Sequence, residues 1–181
     1  QQPVLKTRRL ILRPFEMTDA QDVQRLAGER AIADTTLNIP HPYEDGMAEE
    51  WIATHQPKYV AGELANYAIT LQPKKELIGA IGLVIDTRAG RAELGYWIGV
   101  PYWGNGYCTE AGQTLIDFGF TELKLNRIYA TYFTRNPASG RVMQKLGMTR
   151  EGTLRQHMKK WGNYEDLVVY GILSKEWRER I

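Results

Sequence analysis

Two hydrophobic periods alternate along this chain. Leu10 and Leu12 set against Arg9, Ile11 and Arg13 repeat every second residue, which predicts a strand over Thr7–Pro14, ended by Pro14 and Phe15. Thr18-x-x-Gln21 has the form of a capping box and predicts a helix from about Asp19 to Ala27. Ala31–Tyr43, rich in Thr and Asn and broken by Pro40 and Pro42, is expected to be a loop with one helical turn. Trp51, Ile52, His55 and Tyr59 then fall at helical spacing behind acidic residues, so a helix is expected over Asp45–Tyr59, ending by Gly62.

The period next drops to two. Tyr67–Leu71 and Leu77–Asp86 are predicted strands joined at Pro73-Lys74-Lys75, and Arg88-Ala89-Gly90 turns into a third, Arg91–Gly99. In that strand strict alternation puts Arg91, Glu93, Gly95 and Trp97 on one face and Ala92, Leu94, Tyr96 and Ile98 on the other. A helix from about Thr109 to Leu123 turns Leu115, Phe118 and Leu123 to the sheet. Arg127–Thr134 is β-rich, Ala138–Leu146 is helical with Gly147 as its left-handed stop, and Thr149–His157 with Tyr164–Leu173 forms a hairpin across Trp161-Gly162-Asn163. The order β-α-α-β-β-β-α-β-α-β-β is a mixed α+β pattern, with an antiparallel meander followed by crossover helices.

Length and composition narrow the classes. A chain of 181 residues is expected to form one domain, 1–181, with a sizeable core. Hydrophobic residues are 43% and charged residues 24%, which is ordinary for a soluble globular protein. The net charge of +2 is too small to point to nucleic acid, and no apolar run approaches a membrane span. The single cysteine, Cys108, excludes an internal disulfide framework and argues against a cysteine zinc site; a cytosolic setting is the simplest inference. His41, His55 and His157 are scattered without metal-ligand spacing.

The segment Tyr96 to Ala111 carries the chemistry: a strand, a glycine turn and the start of a helix. Gly104 and Gly106 let the backbone approach a ligand, and the helix N-terminus beside them attracts anions. The dinucleotide fingerprint fails here, because Gly104-Asn105-Gly106-Tyr107-Cys108-Thr109 lacks its third glycine. The P-loop also fails: Gly99 and Gly104 have the right separation, but Asn105-Gly106 stand where Lys and Ser/Thr are needed. A CoA pyrophosphate loop and a plain tight turn remain.

Here the sequence resembles the GNAT N-acetyltransferase superfamily, closest to the type that acetylates ribosomal-protein N-terminal alanine. Pro101-Tyr102-Trp103-Gly104-Asn105-Gly106 fits the family's [R/Q]-x-x-G-x-[G/A] loop except at Pro101, and Trp103 through Ala111 matches a W-G-x-G-Y/L-x-T/S-E-A pattern. About 30 residues on, Asn136-Pro137-Ala138-Ser139, Lys145-Leu146-Gly147-Met148 and Glu151-Gly152 resemble its N-x-x-S…K-x-G-F…E-G segment, with Met148 in place of Phe. The resemblance runs from Thr7-Arg8-Arg9-Leu10 through Tyr170. It implies the GNAT fold, a mostly antiparallel sheet of six to seven strands splayed between its strands four and five and flanked by about four helices.

The resemblance further implies acetyl-CoA as cosubstrate and direct acetyl transfer to an amine. Backbone groups of Ile98 and Val100 would hold the pantetheine. The loop from Trp103 through Gly104, Asn105, Gly106, Tyr107, Cys108 and Thr109 would hold the pyrophosphate. Asn136 would meet the pantetheine arm, and Arg135, Arg141 or Lys145 the adenosine phosphate, unless these three are simply solvated surface charges. Glu93 is the candidate base, against the alternatives that it pairs with an arginine or binds the substrate amine. Many family members use a tyrosine after the N-x-x-S helix as acid; this sequence has none before Gly147, which moves the role to Ser139, whose other reading is a helix cap. Cys108 near a helix N-terminus permits a covalent route in principle, but packing is its simpler role.

The acceptor implied is a primary amine, a protein N-terminus of the ribosomal type, with a polyamine or aminoglycoside as the small-molecule alternative. A non-catalytic acyl-CoA-binding module is the reading from a different class. The aromatics Trp51, Tyr59, Tyr96, Trp97, Tyr132, Trp161 and Tyr164 would in part line the acceptor groove, otherwise serving as core, and Glu165 and Asp166 would attract the cationic amine from the last hairpin. No direct nucleic-acid or membrane partner is expected, and the protein is expected to be a monomer or homodimer.

Overall fold

The structure, a computed structural model, describes residues 1–180. The chain forms β1 (Leu5–Lys6), β2 (Leu10–Arg13), α1 (Ala20–Ala27), α2 (Arg30–Thr35), α3 (Met47–Ala53), α4 (His55–Val60), β3 (Leu64–Leu71), β4 (Glu76–Asp86) and β5 (Arg91–Ile98). It continues through α5 (Tyr107–Thr121), β6 (Arg127–Phe133), α6 (Pro137–Lys145), β7 (Thr149–Lys160), β8 (Asn163–Leu173) and α7 (Ser174–Arg178). The eight strands make one sheet in the order β1-β2-β3-β4-β5-β6-β8-β7. The two-residue β1 takes the count one beyond the expected range. The helix count also exceeds the expected four, because α2, α4 and α7 are short pieces.

Every neighbouring pair is antiparallel except β5 and β6. These two run parallel and pair only at Arg91/Arg127, Ala92/Ile128 and Glu93/Tyr129. Past Glu93 they part: β5 stays with β4 to Ile98, while β6 stays with β8 to Phe133. This is the implied splay. It falls at the fifth and sixth strands because β1 precedes the usual first one.

Alternation sorts the side chains into two cores. Leu10, Leu12, Tyr67, Ile81 and Leu83 from the sheet pack with Leu115 and Ile116 of α5. On the opposite face Val23 of α1, Ile32 of α2 and Ile52 of α3 pack on Ala68 and Leu77. β5 obeys the predicted register, with Ala92, Leu94 and Ile98 in the first core and Trp97 against the second.

Several boundaries differ from the sequence pattern for local reasons. The predicted helix over Asp45–Tyr59 is two helices divided at Thr54, whose hydroxyl donates to the Trp51 carbonyl at 2.7 Å. Pro57 has no N–H to offer the Ala53 carbonyl, so the ladder is interrupted there. Thr18 and Gln21 form no capping box. Instead Glu16 N–H donates to Asp19 Oδ2 at 2.8 Å and Arg13 grips the same carboxylate through both terminal nitrogens, so α1 starts behind a 3-10 turn at Met17–Asp19. Thr7–Arg9 is a turn rather than strand, and α7 was not legible beforehand.

The hairpin also carries an irregularity. Its turn is the pair Trp161 (φ 48°) and Gly162 (φ 83°), both in the left-handed region as a tight two-residue hairpin requires. In β7, Leu154 pairs with Leu167 and Met158 with Glu165, so Arg155, Gln156 and His157 together face Asp166. The bulge is pinned where Gln156 (φ 48°) donates its N–H to Asp166 Oδ1 at 2.6 Å.

Candidate active site

The glycine loop leaves β5 through a 3-10 turn at Val100–Tyr102 and enters α5 at Tyr107. Gly104 (φ +78°) and Gly106 (φ +77°) are both left-handed, and a Cβ at Gly104 would touch nothing within 4 Å. Conformation, not crowding, therefore demands glycine here. Glu110 N–H is the first in α5 to find an intrahelical partner, the Gly106 carbonyl at 3.1 Å. The N–H groups of Tyr107, Cys108 and Thr109 are left at the positive end of a fifteen-residue helix. The donor set suits a pyrophosphate. The Asn105 side chain turns back on the loop, donating to the Tyr102 and Trp103 carbonyls at 3.1 Å each.

The helix end is braced from the turn that precedes β2. Thr7 Oγ1 donates to Glu110 Oε2, Arg9 N–H donates to the same oxygen at 2.9 Å, and Arg9 Nε donates to Oε1 at 2.8 Å. Burial pushes the Glu110 carboxyl up, but the Thr7 and Arg9 hydrogen bonds outweigh it and hold the group below its ordinary value. The Arg9 guanidinium also lies 4.6 Å from the Tyr107 ring centroid. Glu110 thus spends its charge on Arg9 rather than on the anion cradle.

The edge expected to hold pantetheine lies in the fork. Gly99 N–H donates to Ile78 on β4 at 2.8 Å, so the alternation of a strand turns the backbone groups of Ile98 to the free side. There the Ile98 carbonyl accepts from Trp103 Nε1 at 2.7 Å, and the Val100 carbonyl accepts from Trp103 N–H at 3.2 Å. Two of the expected contact groups already have partners within the loop.

Across the fork, α6 begins at Asn136, whose side chain makes no capping bond. A Cβ at Gly140 would sit 2.7 Å from the Tyr132 ring, so glycine alone lets α6 lie directly on β6. That seating brings the Ser139 hydroxyl to 2.7 Å from Tyr96 Oη of β5. Ser139 therefore spends its hydroxyl on Tyr96 and not on the helix end. Burial pushes the Tyr96 phenol up, the nearby Cys108 adds to this, and the bond to Ser139 opposes it; the net shift is upward. Tyr96 was legible only as one aromatic among seven. Its partner lies 43 positions away, and only the fork brings them together.

Glu93 stands where β5 and β6 part. Burial raises its carboxyl above the ordinary value, against hydrogen bonds from Tyr129 and Thr131. The Tyr129 hydroxyl is 3.4 Å from Glu93 Oε2, and among the described residues no arginine or lysine forms an ion pair with it. A cavity of about 280 Å³ joins Glu93 to Tyr96, Trp97, Tyr132 and Ser139, roofed by residues 35–39. An outer lobe of about 450 Å³ opens beyond Glu93. A larger depression of about 720 Å³ follows the β7 bulge but touches neither Glu93 nor Ser139, so the smaller cavity is the one that joins the candidate residues.

Other candidates are drawn elsewhere. Arg135 donates through Nε to Glu165 at 2.9 Å and through its terminal nitrogens to Asp34 Oδ2 at 3.1 Å and the Asp34 carbonyl at 2.8 Å. It fastens the roof, and is committed there rather than to an adenosine phosphate. Lys160 adds a second fastening, donating to the Thr36 carbonyl at 2.8 Å. Arg141 and Lys145 are exposed on α6. Glu165 is paired and Asp166 holds the bulge, so neither is a free anion for an amine. Trp51 and Tyr59 pack against the cores, and Trp161 at the hairpin tip stacks with Arg30 at 4.4 Å. Burial pushes the Cys108 thiol up, opposite to what a nucleophile needs.

The model of the acetyltransferase (GNAT) domain matches residues 9–149. An uncharacterized N-acetyltransferase, p20, of Bacillus licheniformis is 34% identical over 175 residues, covering 96% of this chain and 97% of its own length. A structure of RimL, a ribosomal L7/L12 alpha-N-protein acetyltransferase in complex with coenzyme A, superposes with a TM-score of 0.89 at 18% identity, covering 96% of this chain and 99% of that one. Spermidine N-acetyltransferase from Vibrio cholerae, in complex with CoA and spermine, gives a TM-score of 0.82 at 24% identity, covering 95% and 99%. At these identities the two structural likenesses establish the fold. The family model over most of the chain, together with a relative matched along nearly its whole length, establishes more: this chain belongs to the GNAT acetyltransferase family and is an N-acetyltransferase that uses acetyl-CoA.

Proposed function

We propose that the acceptor is the α-amine of a protein N-terminus, as in the ribosomal-protein acetyltransferases, with acetyl passing directly from acetyl-CoA. One observation carries this reading. Among the residues lining both lobes, Glu93 is the single carboxylate. The neighbouring acids Asp34 and Glu165 are both paired with Arg135, and Lys160 brings a second positive charge near Asp34. One carboxylate suits one ammonium group, whereas a polyamine or aminoglycoside brings several positive charges that would need several anions.

The residues divide the work. The N–H groups from Gly104 to Thr109 hold the pyrophosphate, and the free edge of β5 carries the pantetheine. Glu93 accepts the ammonium proton, directly or through one water, and its raised pKa makes it a better base than an exposed carboxylate. The freed amine attacks the thioester carbonyl, the C–S bond breaks as the amide forms, and the second amine proton passes to the leaving thiolate to give the free CoA thiol. Ser139 donates a hydrogen bond to the leaving sulfur while Tyr96 fixes its direction. Acetyl-CoA supplies the activated acyl group.

The test is free-thiol release from acetyl-CoA across a panel of amines. Peptides beginning with Ala or Ser are expected to exceed spermidine and aminoglycosides in kcat/KM by at least about tenfold. Faster turnover of spermidine would overturn the N-terminal reading in favour of a polyamine enzyme.

A further inference from the structure

The outer lobe has a chemistry of its own. Leu37, Leu154, Met158, Leu167 and Val169 supply aliphatic or thioether surface to its wall. Glu93, Leu37, Thr131 and Leu167 line both lobes, so the two spaces meet at the carboxylate. An amine seated at Glu93 with its lone pair aimed toward Ser139 sends the rest of its chain into the outer lobe.

We propose that the outer lobe is a subsite for the second residue of the acceptor chain and that it selects an apolar, leucine-like side chain. This deepens the N-terminal-amine reading and rests on it. Three observations carry the proposal.

The first is the state of the cations. Arg127 meets Glu151 through both terminal nitrogens at 2.6 and 2.7 Å, and Arg91 meets Asp86 at 3.4 Å. An acidic side chain entering the lobe would find both arginines already answered. A lysine would enter beside two arginines and His157 without a carboxylate other than Glu93, which the reacting amine occupies.

The second is exposed apolar surface at the mouth. Leu154, which lines the lobe, is 41% exposed, and Val84, which lines the adjoining inner cavity and pairs with Glu93 across β4 and β5, is 61% exposed. Covering these groups with an apolar side chain removes their surface from water, whereas a charged or hydrated one gains little from them.

The third is the bulge. Three residues of β7 facing Asp166 push the strand away from β8 between Leu154 and Met158, and the Gln156 bond to Asp166 holds the distortion. Leu154, His157 and Met158 of this stretch line the lobe. At about 450 Å³ the lobe lies within the range of small-ligand pockets.

The experiment measures kcat/KM for matched peptides Ala-X with X as Leu, Gly, Asp or Lys, by thiol release, for the wild type, Leu154→Asp and Leu154→Ala. The wild type is expected to prefer Leu over Asp and Lys by at least about tenfold. Leu154→Asp is expected to reduce that preference below about threefold, with KM for acetyl-CoA unchanged, and Leu154→Ala is expected to fall between. Turnover of all four peptides at equal rates would overturn the subsite while leaving the N-terminal reading intact. A preference that persists unchanged in Leu154→Asp would do the same. Failure of every peptide, with a small amine turned over instead, would overturn both.

Discussion

Tyr96 Oη and Ser139 Oγ lie 2.7 Å apart and form the one side-chain bridge between β5 and α6 across the fork among the described residues. Ser139 is a third-position residue on a helix pressed against β6 through Gly140, so its place is set by packing as well as by this bond. Ser139→Ala is expected to lower kcat by about 10²-fold, within the usual range for acid–base assistance, with little change in acetyl-CoA affinity. Tyr96→Phe is expected to lower kcat by about fivefold, since one hydrogen bond of about 1 kcal/mol is lost while the ring stays in place. Steady-state kinetics with acetyl-CoA titration decides this; a fall in affinity without a fall in kcat would remove Ser139 from the chemical step.

Glu93 sets a pH limb. Its carboxyl is raised by burial, so protonation disables the base at a higher pH than for an exposed glutamate. The acid limb of kcat/KM is expected above pH 4.5, the ordinary value of the group, with activity lost as pH falls through it. Glu93→Gln is expected to lower kcat by about 10²–10³-fold and to remove that limb. An unchanged limb in the variant would assign the titration to another group.

The loop glycines answer to backbone conformation. Gly106→Val places a β-branched residue at φ +77°, a region such residues avoid. Acetyl-CoA binding, measured by calorimetry, is expected to weaken by at least about tenfold while the circular dichroism spectrum stays native. Retained affinity would mean that the pyrophosphate is held elsewhere.

His55 makes stability depend on acid. It is 6% exposed, packed between Phe15 and Trp51, and burial lowers its pKa to about 4. The Asn66 amide donates to Nε2 at 3.2 Å, which requires that nitrogen to be unprotonated. Above pH 6.5 His55 is neutral in both the folded and unfolded chains and costs nothing. As pH falls from there toward 4 the unfolded chain takes up a proton that the folded one refuses, and stability is lost by on the order of 3 kcal/mol. Urea titrations at pH 7 and pH 4 should show a steeper loss for the wild type than for His55→Leu. Equal slopes would show that His55 charges as freely inside as outside.

Much of this could be read from the chain because periodicity reports burial directly. The alternation in Arg91–Ile98 placed Glu93 and Trp97 opposite Ala92, Leu94 and Ile98, and a buried face enforced that register. The glycine loop was legible because positive φ leaves few other choices. What was not legible depends on partners far apart in sequence. Arg135 looked like a phosphate ligand beside Asn136, but its partner Asp34 lies 101 positions earlier. The β7 bulge hid because Arg155, Gln156 and His157 look like ordinary solvent-facing strand. Thr18 and Gln21 matched a cap that Asp19 forms instead, since Arg13 had already oriented that carboxylate.

The brevity of the β5–β6 pairing reaches beyond catalysis. From Leu94 to Ile98 one edge of β5 faces no strand; the Ile98 carbonyl is answered by Trp103 Nε1, and the backbone before it has no ladder partner in the sheet. A ligand that supplies amides along that stretch acts as a detachable strand, and the folded state is more complete with it than without. Fold stability and cosubstrate supply are thereby one linked equilibrium: at a hundredfold excess over its dissociation constant the ligand adds about 2.7 kcal/mol to the unfolding free energy. The abundance of this enzyme in a cell would then track the local supply of CoA thioester, with the unliganded chain the first to be lost to proteolysis.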